Sequence, residues 1–182
     1  MLNIAFSPFH NLETERLYLR QLTNEDVDEI FALRSDPEVM KYIPRPLATN
    51  KEEALAHITL INEKIVSNEG INWAITLKGN PKLIGIIGHY RIKPEHFRAE
   101  MGYMLLPEYQ GKGIISEAIK EVVKYGFDVM KLHSIEAIID PDNLSSEKVL
   151  QKNGFVKEAH LKENEFYLGR FLDTVIYSKL NH

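Results

Sequence analysis

A chain of 182 residues with an ordinary balance of apolar and charged side chains has the length for one domain with a sizeable core. A formal net charge of −4 leaves no general basic footprint for nucleic acid, and the absence of cysteine removes disulfides, thiol catalysis and thiolate metal sites. No apolar run approaches the ~20 residues that span a bilayer, and the N-terminus lacks a secretory pattern, so a single-domain cytoplasmic protein without nucleic-acid or membrane partners, monomeric or homodimeric, is expected.

Glu15 to Leu22 (ERLYLRQL) is short, β-rich and bounded by polar residues, which predicts a strand. Thr23 and Asp26 then stand at capping spacing before a helix carrying Val27, Ile30 and Phe31 on one side. Pro37, Pro44 and Pro46 punctuate the next segment, predicting a broken helical turn and a stiff extended stretch. A longer helix starts near Thr49 or Asn50, with Thr49 and Glu52 at capping-box spacing and Ala54, Ile58, Ile61 and Ile65 in one apolar stripe. Trp73, Ile75 and Leu77 alternate on a strand that turns at Gly79 to Pro81 into a second, from Lys82 to Ile92. A third strand, Ala99 to Leu106, ends at Pro107.

The clearest helix follows. Ile115, Ala118, Ile119, Val122, Gly126 and Phe127 share one face, and Glu117, Lys120, Glu121, Lys124 and Asp128 the other. Then come a strand from Ser134 to Asp140 and a helix from Asn143 to Asn153, stopped by Gly154. Phe155 to Leu161 and Glu165 to Leu180 read as closing strands. A hairpin meander followed by β-α-β-α-β favours a mixed sheet covered by helices.

Chemistry concentrates in the loop YQGKGIISEA, from Tyr109 to Ala118. Amides at a helix start are unpaired donors at the positive end of the helix dipole, and Gly111 and Gly113 lack the Cβ atoms that would keep an anion away. Lys112 and Gln110 could add side contacts. By itself the pattern fits a phosphate seat and a plain helix entry equally. A Walker A loop is excluded, because the lysine lies between the glycines and Ile114 and Ile115 follow. The dinucleotide fingerprint lacks its third glycine, where Ser116 stands, and Pro107 to Gln110 are inserted after the strand.

The stretch AEMGYMLLPEYQGKGIISEAI resembles the central motif of the GNAT superfamily of acetyl-CoA-dependent N-acetyltransferases, with Gln110 and Gly113 in the first and fourth places of Q/R-x-x-G-x-G/A. Ile115 stands where a small residue is usual, a departure found in the branch named after the ribosomal-protein acetyltransferases RimJ and RimL. LETERLYLRQLTNEDVDEIFAL, SDPEVMKYIP, NLSSEKVLQKNGF and DTVIYSKL are similar to that branch too, so the likeness runs from about Leu12 to Leu180. It implies a mixed α/β fold with a mostly antiparallel central sheet flanked by helices, acetyl-CoA as co-substrate and a primary amine as acceptor, either a protein N-terminus or a small molecule. The backbone of Gly111, Lys112, Gly113, Ile114, Ile115 and Ser116 would hold the pyrophosphate. Met104, Leu105 and Leu106 would pair with the pantetheine arm and offer an amide to the thioester oxygen.

With no cysteine to carry an acyl group, direct attack on bound acetyl-CoA is the economical route. Glu100 matches the catalytic glutamate of several such enzymes, and partial burial would suit it to accept a proton at neutral pH. Its other reading is an ion pair with Arg98 or Arg91. Asn143 and Ser146 match the branch's N-x-x-S, an asparagine contacting the cofactor and a serine near its sulfur. Local physics reads them as an N-cap and an N3 residue whose face also holds Val149, Leu150 and Asn153. Tyr103 and Tyr109 are substitutes for the serine. Tyr42 and Arg45 fall where the branch builds its acceptor lip, or on a solvated loop. The dispersed histidines predict no metal site. A non-catalytic acyl-CoA-binding module and a dinucleotide-dependent oxidoreductase are the rival classes.

Overall fold

The computed structural model describes residues 2–182. Two strands, β1 (Leu12–Glu13) and β2 (Leu17–Arg20), open the chain. One tight turn then leads into α1 (Val27–Ser35), and the Asp26 carboxylate accepts the Thr23 amide at 2.8 Å while holding Arg20 at 2.7 Å. After α2 (Pro37–Met40) and an extended segment comes α3 (Lys51–Val66). Its cap differs from expectation by one residue. Asn50 accepts from the Glu53 amide at 2.9 Å, and the Glu53 carboxylate reaches back to Thr49, so Glu52 takes no part. The stripe Ala54, Ile58, Ile61 and Ile65 is buried as predicted.

A meander of β3 (Ile71–Leu77), β4 (Asn80–Lys93) and β5 (Arg98–Leu105) follows, then α4 (Ile114–Asp128), β6 (Ser134–Ile139) and α5 (Leu144–Lys152). The closing hairpin is β7 (Val156–Tyr167) and β8 (Arg170–Leu180). The break expected at residues 162–164 is instead a bulge within β7. Glu163 adopts φ 52°, its amide donates to Asp173, and Asn164 accepts from Thr174, so polar residues that resemble a loop are satisfied inside a ladder. The turn lies at Leu168 and Gly169.

All eight strands form one sheet in the order β1-β2-β3-β4-β5-β6-β8-β7, antiparallel except for β5 beside β6. Pleating divides its residues between two faces. Trp73, His89, Met101, Tyr103 and Ile135 face α4 and α5, while Ala74, Ile86, Tyr90, Glu100 and Glu136 share the other side, where α1 and α3 pack on β4 and β3. Covering both faces explains why Ala74 and Thr76 are as buried as Trp73 and Ile75, against the one-sided pattern expected.

Gly126 lets α4 approach the sheet: a Cβ there would lie 2.8 Å from Ile135 and 3.0 Å from His89. The His89 Nε2–H donates to Val122 O at 2.9 Å, and burial outweighs that bond to push the ring down to about 4. The folded protein therefore keeps His89 neutral while the unfolded chain protonates near 6.5. Stability from this group is complete above pH 6.5 and falls as pH drops toward about 4, by roughly 3 kcal/mol. His57 is lowered in the same direction. Urea unfolding followed from pH 7 to pH 4 should show this loss, with a shallower slope in His89→Gln; identical slopes would contradict it.

Candidate active site

β5 pairs with β6 only through Arg98–Ser134, Ala99–Ile135 and Glu100–Glu136. Beyond these, β5 continues along β4 and β6 along β8, and a gap opens beside residues 101–105. Backbone groups alternate between strand edges. The Leu106 amide donates to Ile84 O at 2.9 Å, so Met104 also turns its amide to β4, while Tyr103 and Leu105 turn theirs to the gap. Of the three expected strand-end positions, Leu105 is thus the one with backbone on the open edge. The Gln110 side chain is drawn back to the strand, its Nε2 donating to Leu105 O at 3.2 Å.

At the end of β5 the chain turns through Pro107–Tyr109 into the glycine loop. Gly111 and Gly113 have φ of 73° and 75°, a left-handed backbone that a Cβ disfavours. The first bond of α4 runs from Glu117 N to Gly113 O at 3.1 Å. The amides of Gly111, Lys112, Gly113, Ile114, Ile115 and Ser116 therefore have no acceptor among the described residues, and they gather at the positive end of a helix. Their side chains point to other tasks. Ile114 is buried, Ile115 packs against the core, Ser116 Oγ accepts from Asn153 at 3.0 Å, and Lys112 lies over the Tyr109 ring. Backbone faces outward here, and an added Cβ at Gly111 would meet nothing within 4 Å.

Arg16 completes the loop and escapes sequence reasoning, because its partners lie about a hundred positions away. Its Nη1 donates to Lys112 O at 3.0 Å and its Nε to Glu117 at 2.6 Å, while Thr14 Oγ1 donates to the other Glu117 oxygen at 2.5 Å. The clamp sets the loop's shape and leaves a guanidinium beside Gly113.

The far wall of the gap is α5, which begins just after β6. Asn143 caps it, accepting from the Ser146 amide at 3.1 Å. Ser146 is half-buried next to the Tyr103 phenol, which reaches over from β5. Burial pushes Tyr103 up to about 12, a shift that nearby Ser146 reduces, yet the hydroxyl has no hydrogen-bond partner among the described residues.

Glu100 lies on the opposite face, its side chain 5% exposed, with Oε2 held by Arg91 at 2.7 Å. Arg91 takes φ 46° at an irregularity in β4, a strained backbone that aims its side chain at the carboxylate. Arg98, the other expected partner, pairs with Glu136 instead. Burial, then the Glu100 carboxylate, raise the neighbouring Tyr90 phenol. On this side a cavity of about 430 Å³ is lined by Met40, Tyr42, Arg45, Asp140, Tyr167 and Leu172 among others. Arg45 and Glu165, paired at 3.8 Å, act electrostatically on Tyr90 and Arg91, which ties its rim to Glu100. Among the described residues no cluster of three His, Asp or Glu could hold a metal ion, and no helix is long and apolar enough to cross a membrane.

Residues 16–156 match the family model for the acetyltransferase (GNAT) domain. The chain belongs to the GNAT acetyltransferase family. It is 38% identical over 170 residues to the uncharacterized N-acetyltransferase YoaA of Bacillus subtilis strain 168, covering 93% of this chain and 96% of YoaA. The crystal structure of spermidine N-acetyltransferase from Vibrio cholerae, in complex with CoA and spermine, matches with a TM-score of 0.81 at 28% identity, covering 92% and 96% of the two chains. The ribosomal-protein-S5-alanine acetyltransferase from Vibrio fischeri matches with a TM-score of 0.82 at 27% identity, covering 94% and 97%.

The protein is an acetyl-CoA-dependent N-acetyltransferase with the mixed, mostly antiparallel GNAT fold. Family membership replaces the dinucleotide alternative, and the unengaged amides of Gly111 to Ser116 fit a pyrophosphate on this chain's own geometry.

Proposed function

We propose that the chain works as one N-acetyltransferase domain that moves the acetyl group directly to an amine while both reactants are bound. The observation that carries this reading is the run of free amides from Gly111 to Ser116 beside the parting of β5 and β6. Those amides, with Arg16 and Lys112 alongside, hold the pyrophosphate; Leu105 backbone meets the pantetheine arm; Asn143 borders its reactive end. Bound acetyl-CoA supplies an activated acyl carbon. Glu100 takes a proton from the acceptor ammonium, directly or through water, because an ammonium has no lone pair with which to attack. The acceptor enters from the Glu100 side, past Tyr42 and Arg45.

Two relatives of nearly equal similarity carry names that specify different acceptors, a polyamine and a ribosomal protein. Overall likeness therefore does not choose the amine. Calorimetry with acetyl-CoA and with NADH, followed by mass-based acetylation of spermidine, amino acids, aminoglycosides and peptide N-termini, tests the reading. Acetyl-CoA binding with transfer to one amine class is expected. Binding with no transfer to any of them would count against it, and NADH binding in place of acetyl-CoA would refute it.

A further inference from the structure

Charge is unevenly spread around the cavity on the Glu100 side. Lys41, Arg45 and Arg170 line it against one carboxylate, Asp140, whose Oδ1 already accepts the Asp142 amide at 2.8 Å. Register sets Arg170 opposite Tyr167 in the closing hairpin, and the pleat of β8 puts it on the face of Ser178, the partner of Glu136 beside Glu100. These cations are poorly neutralised. Arg45 meets Glu165 only at 3.8 Å and gives Nη1 to Pro44 O at 2.8 Å. Lys41 and Arg170 have no ion pair among the described residues, and Lys41 rests over the Tyr42 ring. Nearby, Arg34 is half-buried on α1, where burial and then Arg45 disfavour its charge against Glu53, whose carboxylate is spent on Thr49. A polyamine would bring further ammonium groups into this field, whereas an anion would relieve it.

We propose that the acceptor is a small amine that also carries an anionic group, a carboxylate or a phosphate-like oxyanion, and that Arg45 and Arg170 select it. This names the acceptor within the acetyltransferase reading above and rests on that reading. The two ends of such a molecule meet opposite charges. Its ammonium lies toward Glu100, where the proton is lost, and its anion stays at the rim. There a guanidinium offers two parallel N–H donors, a fork that matches either kind of oxyanion. Lys41 adds a point charge, while Tyr42, Tyr167 and Leu172 supply apolar wall for the carbon chain between. A cavity of about 430 Å³ suits a small molecule.

Matched pairs isolate the charge: amino acids of several chain lengths against their carboxamides, and aminoalkyl phosphonates against the corresponding amino alcohols, with spermidine alongside. Referred to the free amine, kcat/KM should favour the anionic member of a pair by about tenfold or more, the gain expected of a charged hydrogen bond, and spermidine should be poorest. The pair with the larger preference distinguishes carboxylate from phosphonate. Arg45→Gln with Arg170→Gln should raise KM for the anionic acceptor by about a hundred-fold. KM for its neutral partner and acetyl-CoA affinity should stay within about twofold, a split that a merely structural role would not produce. Both side chains are exposed, so the melting temperature should hold. Calorimetry on the coenzyme-A-loaded protein reads the same preference without turnover. Equal or better use of the neutral members or of spermidine would overturn the proposal, as would an unchanged preference in the double variant. Anion-selective binding without transfer to any amine would support the anion site and sink the acetyltransferase reading instead.

Discussion

Gly113→Val should weaken acetyl-CoA binding by at least about a hundred-fold, or roughly 3 kcal/mol, in calorimetry against the wild type. Two effects add. At φ 75° a β-branched residue meets the left-handed penalty of about 1–2 kcal/mol, which the loop relieves by rotating its amides out of line. The new side chain also projects from a backbone that is otherwise exposed. The fold should survive, because a Cβ at this position meets only Arg16, at 3.6 Å, so thermal melting separates a lost seat from a lost protein. Equal affinity in a folded variant would remove the loop from the cofactor site.

The second large effect is expected at Glu100. Glu100→Gln should cut kcat by about a hundred-fold at neutral pH with acetyl-CoA affinity intact. Arg91 holds Oε2, and the Tyr90 phenol lies against the same carboxylate. The amide keeps the shape and loses the charge, while the partly exposed Arg91 guanidinium turns to solvent. The deficit should shrink as pH rises through the acceptor's own ionisation, because a free amine no longer needs a base. Coincident pH–rate profiles for variant and wild type would reduce Glu100 to the ion-pair role that its contact with Arg91 also fits.

Local rules were readable where one element satisfies itself. The α3 stripe, the Asn143 cap and Gly154 at φ 80° after α5 follow from periodicity and backbone preference alone. The central strands were harder, since helices on both sides erase the alternation that marks a one-sided sheet. The charged middle of β7 resembles a loop because Asp173 and Thr174, which satisfy it, come from the next strand.

The site divides in the same way. The glycines and the helix start were legible because phosphate recognition by bare amides is a local device. Arg16 beside Glu117 and Tyr103 beside Ser146 each join distant segments, and no spacing rule predicts them. Arg91 beside Glu100, one hairpin apart, is one of the two ion pairs the sequence suggests. Gln110 opens the family pattern and Ser116 ends the expected phosphate seat, yet their side chains are turned to Leu105 and Asn153, so only their backbone, or a neighbour's, remains for a ligand.

Glu100 and Tyr103 stand close together on one strand, yet the pleat sends them to opposite sides of the sheet. Under the proposed placement, the parted strands act as a window in a wall, with the amine approaching from the Glu100 side and the coenzyme's phosphates seated at the start of α4 on the other.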